Sequence, residues 1–111
     1  MAKNGFFPLI GPDTFTTTAA TTWGNTTSME VGVINIATAH DVTFDSANYP
    51  GEAGDCVIVI NTTSGSQNAI ISPAPFGDAD ADTAALTAGD SVVVVYHPDN
   101  GWIFMGLTAA S

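Results

Sequence analysis

From Met29 onward the chain is written as short apolar runs set between clusters of Gly, Pro, Asn, Asp and Ser, and almost none of the runs has a helical period. "MEVGVINIA" directs Val31, Val33 and Ile36 toward a core, and Gly32 in its middle predicts a bend or bulge. "HDVTF" sets Val42 and Phe44 on one side of a short strand, which "SANYPGEAGD" ends with turn residues. "CVIVIN" is a continuous β-branched run, the pattern of a strand covered on both faces. After the loop "TTSGSQN" comes a short strand, "AIIS", and then an excursion, "PAPFGDADADTAALTAGD", whose prolines forbid a central strand.

"SVVVVYH" and "GWIFMGL" flank "PDNG", where Pro98 presets one turn dihedral and Asn100 and Gly101 accept positive φ, so the two runs should close as a hairpin. Trp102 and Phe104 then share one face and Ile103 and Met105 the other. Both faces are apolar, which predicts a hairpin covered on two sides. The best helical candidate is "DADTAALTA", rich in Ala and Leu but without an apolar stripe. About seven short strands, roughly ten residues apart and punctuated by turn residues, predict an all-β fold, an antiparallel β-sandwich or jelly-roll, over 29–111.

Residues 1–28 read differently, as an irregular N-terminal arm. Phe6, Phe7, Leu9, Ile10, Phe15 and Trp23 are scattered among prolines, glycines and a threonine-rich tract with neither a helical nor a strict strand period. Apolar side chains in such a segment pack elsewhere: on the domain's own sheet, or on a neighbouring subunit.

One octet is written nearly twice, "AGDCVIVI" at 53–60 and "AGDSVVVV" at 88–95. In each, Ala-Gly-Asp predicts a tight turn in which the glycine takes the unusual dihedral and Asp55 or Asp90 accepts backbone N–H bonds before the chain enters a buried strand. The repeat is a structural device, with equivalent places in the fold for its two strands.

Composition narrows the function classes. The 111 residues suit one domain, and 45% of them are hydrophobic, enough for a core. Only 11% are charged, and Lys3 is the sole basic residue beside eleven acids, for a net charge of −10. Such a chain lacks the cations that draw a protein to nucleic acid or to anionic membranes. Its surface must be covered largely by Thr, Ser, Asn, Gly and Ala. Cys56 is the only cysteine, which precludes an internal disulfide, and its place in "CVIVI" predicts a buried, inert thiol. "MAKNGFFPLIGPD" is too short for a signal h-region, and no run reaches the length of a membrane span, so synthesis in a cytoplasm without cleavage is expected. The sequons at Asn25 and Asn61 then carry no meaning.

No catalytic constellation emerges. Asp78, Asp80 and Asp82 could converge on one calcium ion, yet the EF-hand pattern fails at Thr83 and Gly89, and a solvated acidic loop is the plainer reading. His40 and His97 lack the spacing of a metal pair. Ser64-Gly65-Ser66 has no sign of a nucleophile elbow. Neither an enzyme nor a cofactor is expected. A glycan site would use exposed aromatics in turn-rich stretches, with Trp23, Tyr49 and the acids of 78–82 as candidates.

"GDCVIVINTTSGSQNAIISPAP" followed by "LTAGDSVVVVYHPDNGWIFMG" resembles the small β-modules of tailed-phage virion proteins, which carry a strand ending in Asn-Thr, an Ile-rich strand, an "aGdsv.vvy" run, a turn and "gW...G". The likeness spans about residues 54–106. It implies a non-enzymatic virion structural protein: a capsid decoration or cement protein on the outer surface of the head, synthesised in the host cytoplasm. The implied partners are the major capsid protein and further copies of the chain, as a homotrimer. Phe6, Phe7, Leu9, Ile10, Phe15 and Trp23 are the expected interface anchors, aromatic and aliphatic residues being the usual source of interface energy. A fibre protein would be far longer and have a shaft, which leaves a glycan- or receptor-binding module of a tail or head fibre as the alternative.

Overall fold

A computed structural model describes residues 9–10, 13–24 and 31–105. They form two mixed β-sheets around one core. The strands are β1 (Leu9–Ile10), β2 (Asp13–Thr17), β3 (Thr21–Thr22), β4 (Val31–Ile36), β5 (Val42–Asp45), β6 (Asp55–Asn61), β7 (Gln67–Ser72), β8 (Thr83–Leu86), β9 (Ser91–His97) and β10 (Gly101–Met105). The larger sheet has the order β10-β9-β6-β4-β2, with β1 alongside the start of β6; the smaller has the order β3-β5-β7-β8.

The all-β expectation holds, but the antiparallel pairing does not. Strands β2, β4 and β6 run parallel in the larger sheet, as do β3, β5 and β7 in the smaller, and β1 is parallel to β6. Only β6 with β9, β9 with β10 and β7 with β8 are antiparallel among the described strands. The chain crosses from one sheet to the other after β2, β3, β4, β5 and β6, so it winds in coils, where a jelly-roll would double back in hairpins. Parallel neighbours need a crossover, usually a helix. Here a strand of the opposite sheet serves.

The coil register explains the threonine tract. Thr17 pairs with Ile36, which pairs with Asn61, and Thr21 pairs with Val42, which pairs with Ala69. Residues 13–22 are therefore the outermost coil, and threonine occupies positions where the next coil has Val33, Ile36 and Val42. Its branched Cβ suits a strand while its hydroxyl suits the wetter end of a stack. Residues 13–24, read as part of the irregular arm, belong to the sheets and share their core.

That core is built from inward positions of both sheets, among them Ile34, Ile36, Val57, Val59 and Val94 from the larger and Val42, Phe44, Ala69 and Ile71 from the smaller. A register shift beside Gly32 turns Val31 inward, as the glycine suggested, and leaves Val33 pointing out. "TAAL" at 83–86, inside the helical candidate, is strand β8: Ala84 and Leu86 alternate into the core, and pairing with β7 outweighs helix propensity.

The hairpin β9–β10 closes over Pro98, Asp99 and Asn100, and the positive φ falls on Gly101 alone (+78°). A Cβ there would stand 2.5 Å from Ser46 Oγ. Gly101→Ala should cost more than about 1 kcal/mol, from strain and from displacing Ser46, and a urea titration followed by circular dichroism will measure it.

Candidate interaction surface

The repeated octet organises the larger sheet. Its two copies pair with each other: Cys56 lies opposite Val95, Ile58 opposite Val93 and Ile60 opposite Ser91. Each enters its strand through the same turn. Gly54 (φ +89°) and Gly89 (φ +83°) take the left-handed conformation. Asp55 Oδ2 accepts from Glu52 N (2.8 Å), and Asp90 Oδ2 accepts from Thr87 N (3.1 Å) and Thr87 Oγ1 (2.6 Å).

Side chains alternate across these strands, and only one face meets the core. Val57, Val59, Val92 and Val94 point in and are buried; Ile58, Ile60, Val93 and Val95 point out and are half-buried. Lateral pairing extends the outward set into a row of Thr14, Val33, Ile58, Val93 and Met105, flanked by Val95 and Ile103. Met105 is 52% exposed. The second covering predicted for "CVIVIN" and for the hairpin is thus not supplied by the described residues. Cys56 shares the outward parity yet is buried and stands apart from the core cluster. Burial pushes its thiol pKa up, which keeps it protonated and unreactive.

The smaller sheet supplies a contrast. The corresponding row on its outer face is Thr22, Thr43, Ile70 and Thr83, with Asn68 and Ala85 beside it. That face is mostly polar; on the larger sheet the row through Val33, Ile58, Val93 and Met105 is mostly apolar, and the outward row beside it is Thr16, Asn35, Ile60 and Ser91.

The anticipated anchors are dispersed. Phe6 and Phe7 lie outside the described residues. Leu9 and Ile10 form β1, in register with Asp55 and Cys56. Phe15 is half-buried against the chain's own core. Trp23 is 1% exposed, stacked on Phe44 (centroids 6.0 Å) and edge-on to Trp102 (6.1 Å), so its indole has no surface left for a partner or a sugar. Among the described residues its Nε1 is the one buried side-chain polar atom without a hydrogen-bond partner. Tyr49 is half-buried, and its carbonyl accepts from Trp102 Nε1 (3.1 Å).

The polar candidates serve the corners between strands. The His40 ring bridges the hydroxyls of Thr17 (Nε2, 2.5 Å) and Thr38 (Nδ1, 3.0 Å), tying the first coil to the second. His97 Nδ1 accepts from Asp99 N (3.1 Å) in the hairpin turn. Asp78 accepts from Asp80 N, and Asp82 from Thr83 Oγ1. Among the described residues no three His, Cys, Asp or Glu side chains gather as a metal-holding group, and no helix is long and apolar enough to cross a membrane.

Two features escaped the sequence reading. Asn61, noted as a sequon and as the end of a strand, is fully buried at a corner and bonded at both ends of its amide. Phe76 is 66% exposed with φ +58°, a left-handed conformation that a bulky side chain seldom adopts. Nothing in "PAPFG" marks that conformation on the phenylalanine.

Two carboxylates have depressed pKa values. Asp45 is held below its ordinary value by bonds from the Asn48 side chain and backbone, and from Ala47 N; Asp90 by those from the Thr87 hydroxyl and backbone. A depressed folded pKa adds stability that is complete above the unfolded value and is lost as pH falls through the folded one. Replacing both residues by asparagine should therefore flatten the decline of the urea midpoint below about pH 4 while leaving less of a difference at pH 2 than at pH 7.

No family model, curated protein or solved structure matches this chain.

Proposed function

We propose that the chain is a non-enzymatic virion structural protein of a tailed bacteriophage, a decoration or cement protein that binds the major capsid protein on the outer surface of the head and reinforces it, as a trimer. The observation that carries this reading is the apolar row through Val33, Ile58, Val93 and Met105 on the outer face of the larger sheet, beside which no acid, base and nucleophile are assembled among the described residues. The phage-like pattern of residues 54–106 supplies the setting. The glycan-binding alternative is weakened by the burial of Trp23 in the core.

The test uses heads of the phage that encodes the chain, purified from a mutant that does not make it. Purified full-length protein should co-sediment with these heads at a fixed, saturable ratio and raise the temperature at which they break open. Protein left in the supernatant at every ratio, with head stability unchanged, would reject the proposal.

A further inference from the structure

We infer that the loop between β7 and β8 is a point of attachment to the partner protein, where Phe76 enters an apolar pocket and Asp78 and Asp80 face lysine or arginine side chains at its rim. This rests on the reading that the chain binds a capsid shell, and it places one contact of that binding outside the apolar row of the larger sheet.

Phe76 is unfavourable to the described fold on two counts. Its ring is 66% exposed, more than any other large hydrophobic side chain among the described residues. Its backbone is left-handed (φ +58°, ψ +16°), a conformation in which a bulky side chain is a genuine outlier. Glycine takes it without strain, as the neighbouring Gly77 does at φ +66°. Burial contributes little at residue 76 and the backbone is strained, so neither folding term accounts for a phenylalanine there. Contact with a second molecule does, and strain that the surrounding structure maintains clusters at ligand clamps and binding sites.

The loop maintains it through bonds on either side of the ring. Pro75 is buried, and the turn Pro75–Gly77 lies against β10. Gly77 N donates to Ala74 O (3.2 Å) and Asp78 N to Pro75 O (3.0 Å), while Ile71 N donates to Asp82 O (2.7 Å) and closes the base of the loop. An aromatic side chain on a backbone ordered in advance loses little entropy on binding, and such anchors supply a large share of interface energy.

The partner's chemistry follows from charge. Asp78 and Asp80 are exposed on the same loop, and Lys3 is the only lysine or arginine in a chain of net charge −10. A second copy, or any other strongly acidic surface, is repelled there. An apolar pocket with a basic rim is attracted, and complementary charge both speeds the encounter and fixes its orientation.

The experiment is co-sedimentation with the heads described above, using full-length variants over a series of salt concentrations, beside urea unfolding of each variant. Phe76→Gly should bind at least about tenfold more weakly. Its urea midpoint should equal or exceed that of the wild type, because glycine relieves the left-handed backbone. Asp78→Asn with Asp80→Asn keeps the side-chain oxygen that accepts from the backbone N–H of residue 80, and should flatten the fall of affinity with salt. The inference is overturned by a glycine variant that binds as the wild type does, or by one with a lowered urea midpoint, which would mean that the ring packs on its own chain. An asparagine pair with wild-type salt dependence overturns it as well. Those three results leave head binding itself intact, whereas wild-type protein that fails to bind heads rejects the reading above and this inference together.

Discussion

Trp102→Ala is expected to lower the free energy of unfolding by about 3–5 kcal/mol, a large fraction of the roughly 5–15 kcal/mol available to a domain of this size. The indole is fully buried where several segments meet. Phe44 lies at 5.3 Å between ring centroids, Tyr96 at 5.1 Å and Trp23 at 6.1 Å. Its Nε1 donates to Tyr49 O, and its backbone N–H donates to Ser46 Oγ (3.0 Å). Truncation would thus empty an aromatic cluster and strip the 46–49 segment of one of its fastenings. Neither loss is repaired by small shifts, because Phe44 and Tyr96 belong to strands held in place by pairing and the Trp23 backbone N–H is bonded to Thr43 O (2.8 Å). Urea unfolding followed by far-ultraviolet circular dichroism will measure the loss. Trp102→Phe, which keeps an aromatic ring, should lose distinctly less; equal losses would mean that ring packing is not what the site contributes.

Asn61→Leu is the second large effect, at about 2–4 kcal/mol. Leucine matches asparagine in shape, so the cost measures hydrogen bonds more than volume. Nδ2 donates to Gly65 O (2.6 Å) and Leu86 O (2.9 Å), and Oδ1 accepts from Thr63 N (2.9 Å) and Thr63 Oγ1 (2.7 Å). The amide's two donors and two acceptor sites are all engaged. Asn61→Asp sharpens the test. A carboxylate there would face two carbonyl oxygens in a buried corner, so its folded pKa is raised. A raised pKa contributes stability below the unfolded value and loses it as pH rises through the folded one. This variant should therefore come closest to wild-type stability in acid and fall furthest behind near neutrality, the opposite trend from that set by Asp45 and Asp90. A deficit independent of pH would show that the carboxylate escapes to water.

Strands β4, β5, β6, β7, β9 and β10, the β9–β10 hairpin, the irregularity at Gly32 and the Ala-Gly-Asp turns were legible in the residues, because each follows from local φ/ψ preference or alternation; β1, β2, β3 and β8 were not. Strand direction was not. Whether Val42 and Phe44 run with or against Ala69 and Ile71 depends on where the intervening chain travels, and alternation has no sign. The threonine tract was misplaced for a related reason: Phe15 and Thr17 point inward only once β4 lies beside them. The candidate surface was half legible. Apolar residues on both sides of "CVIVI" and "GWIFM" indicated two coverings, and the fold shows which one the described residues provide. Trp23 in a turn-rich stretch was open to two readings, and burial separates them.

Coil winding also dictates how the molecule must assemble in time. Partners in its parallel pairs are separated by at least 18 residues, as Asp13 is from Val31, whereas His97 and Gly101 are four apart. By loop-closure entropy alone, joining ends some twenty-five residues apart costs about 1–2 kcal/mol more than closing a short turn. The β9–β10 hairpin is therefore the natural first structure, and the parallel coils gather afterwards through slow, non-local encounters. Refolding on the millisecond-to-second scale of such topologies is the consequence. Until those encounters are complete, the Val- and Ile-rich strands are exposed on both sides, which makes crowding during synthesis the most hazardous interval in the life of the chain.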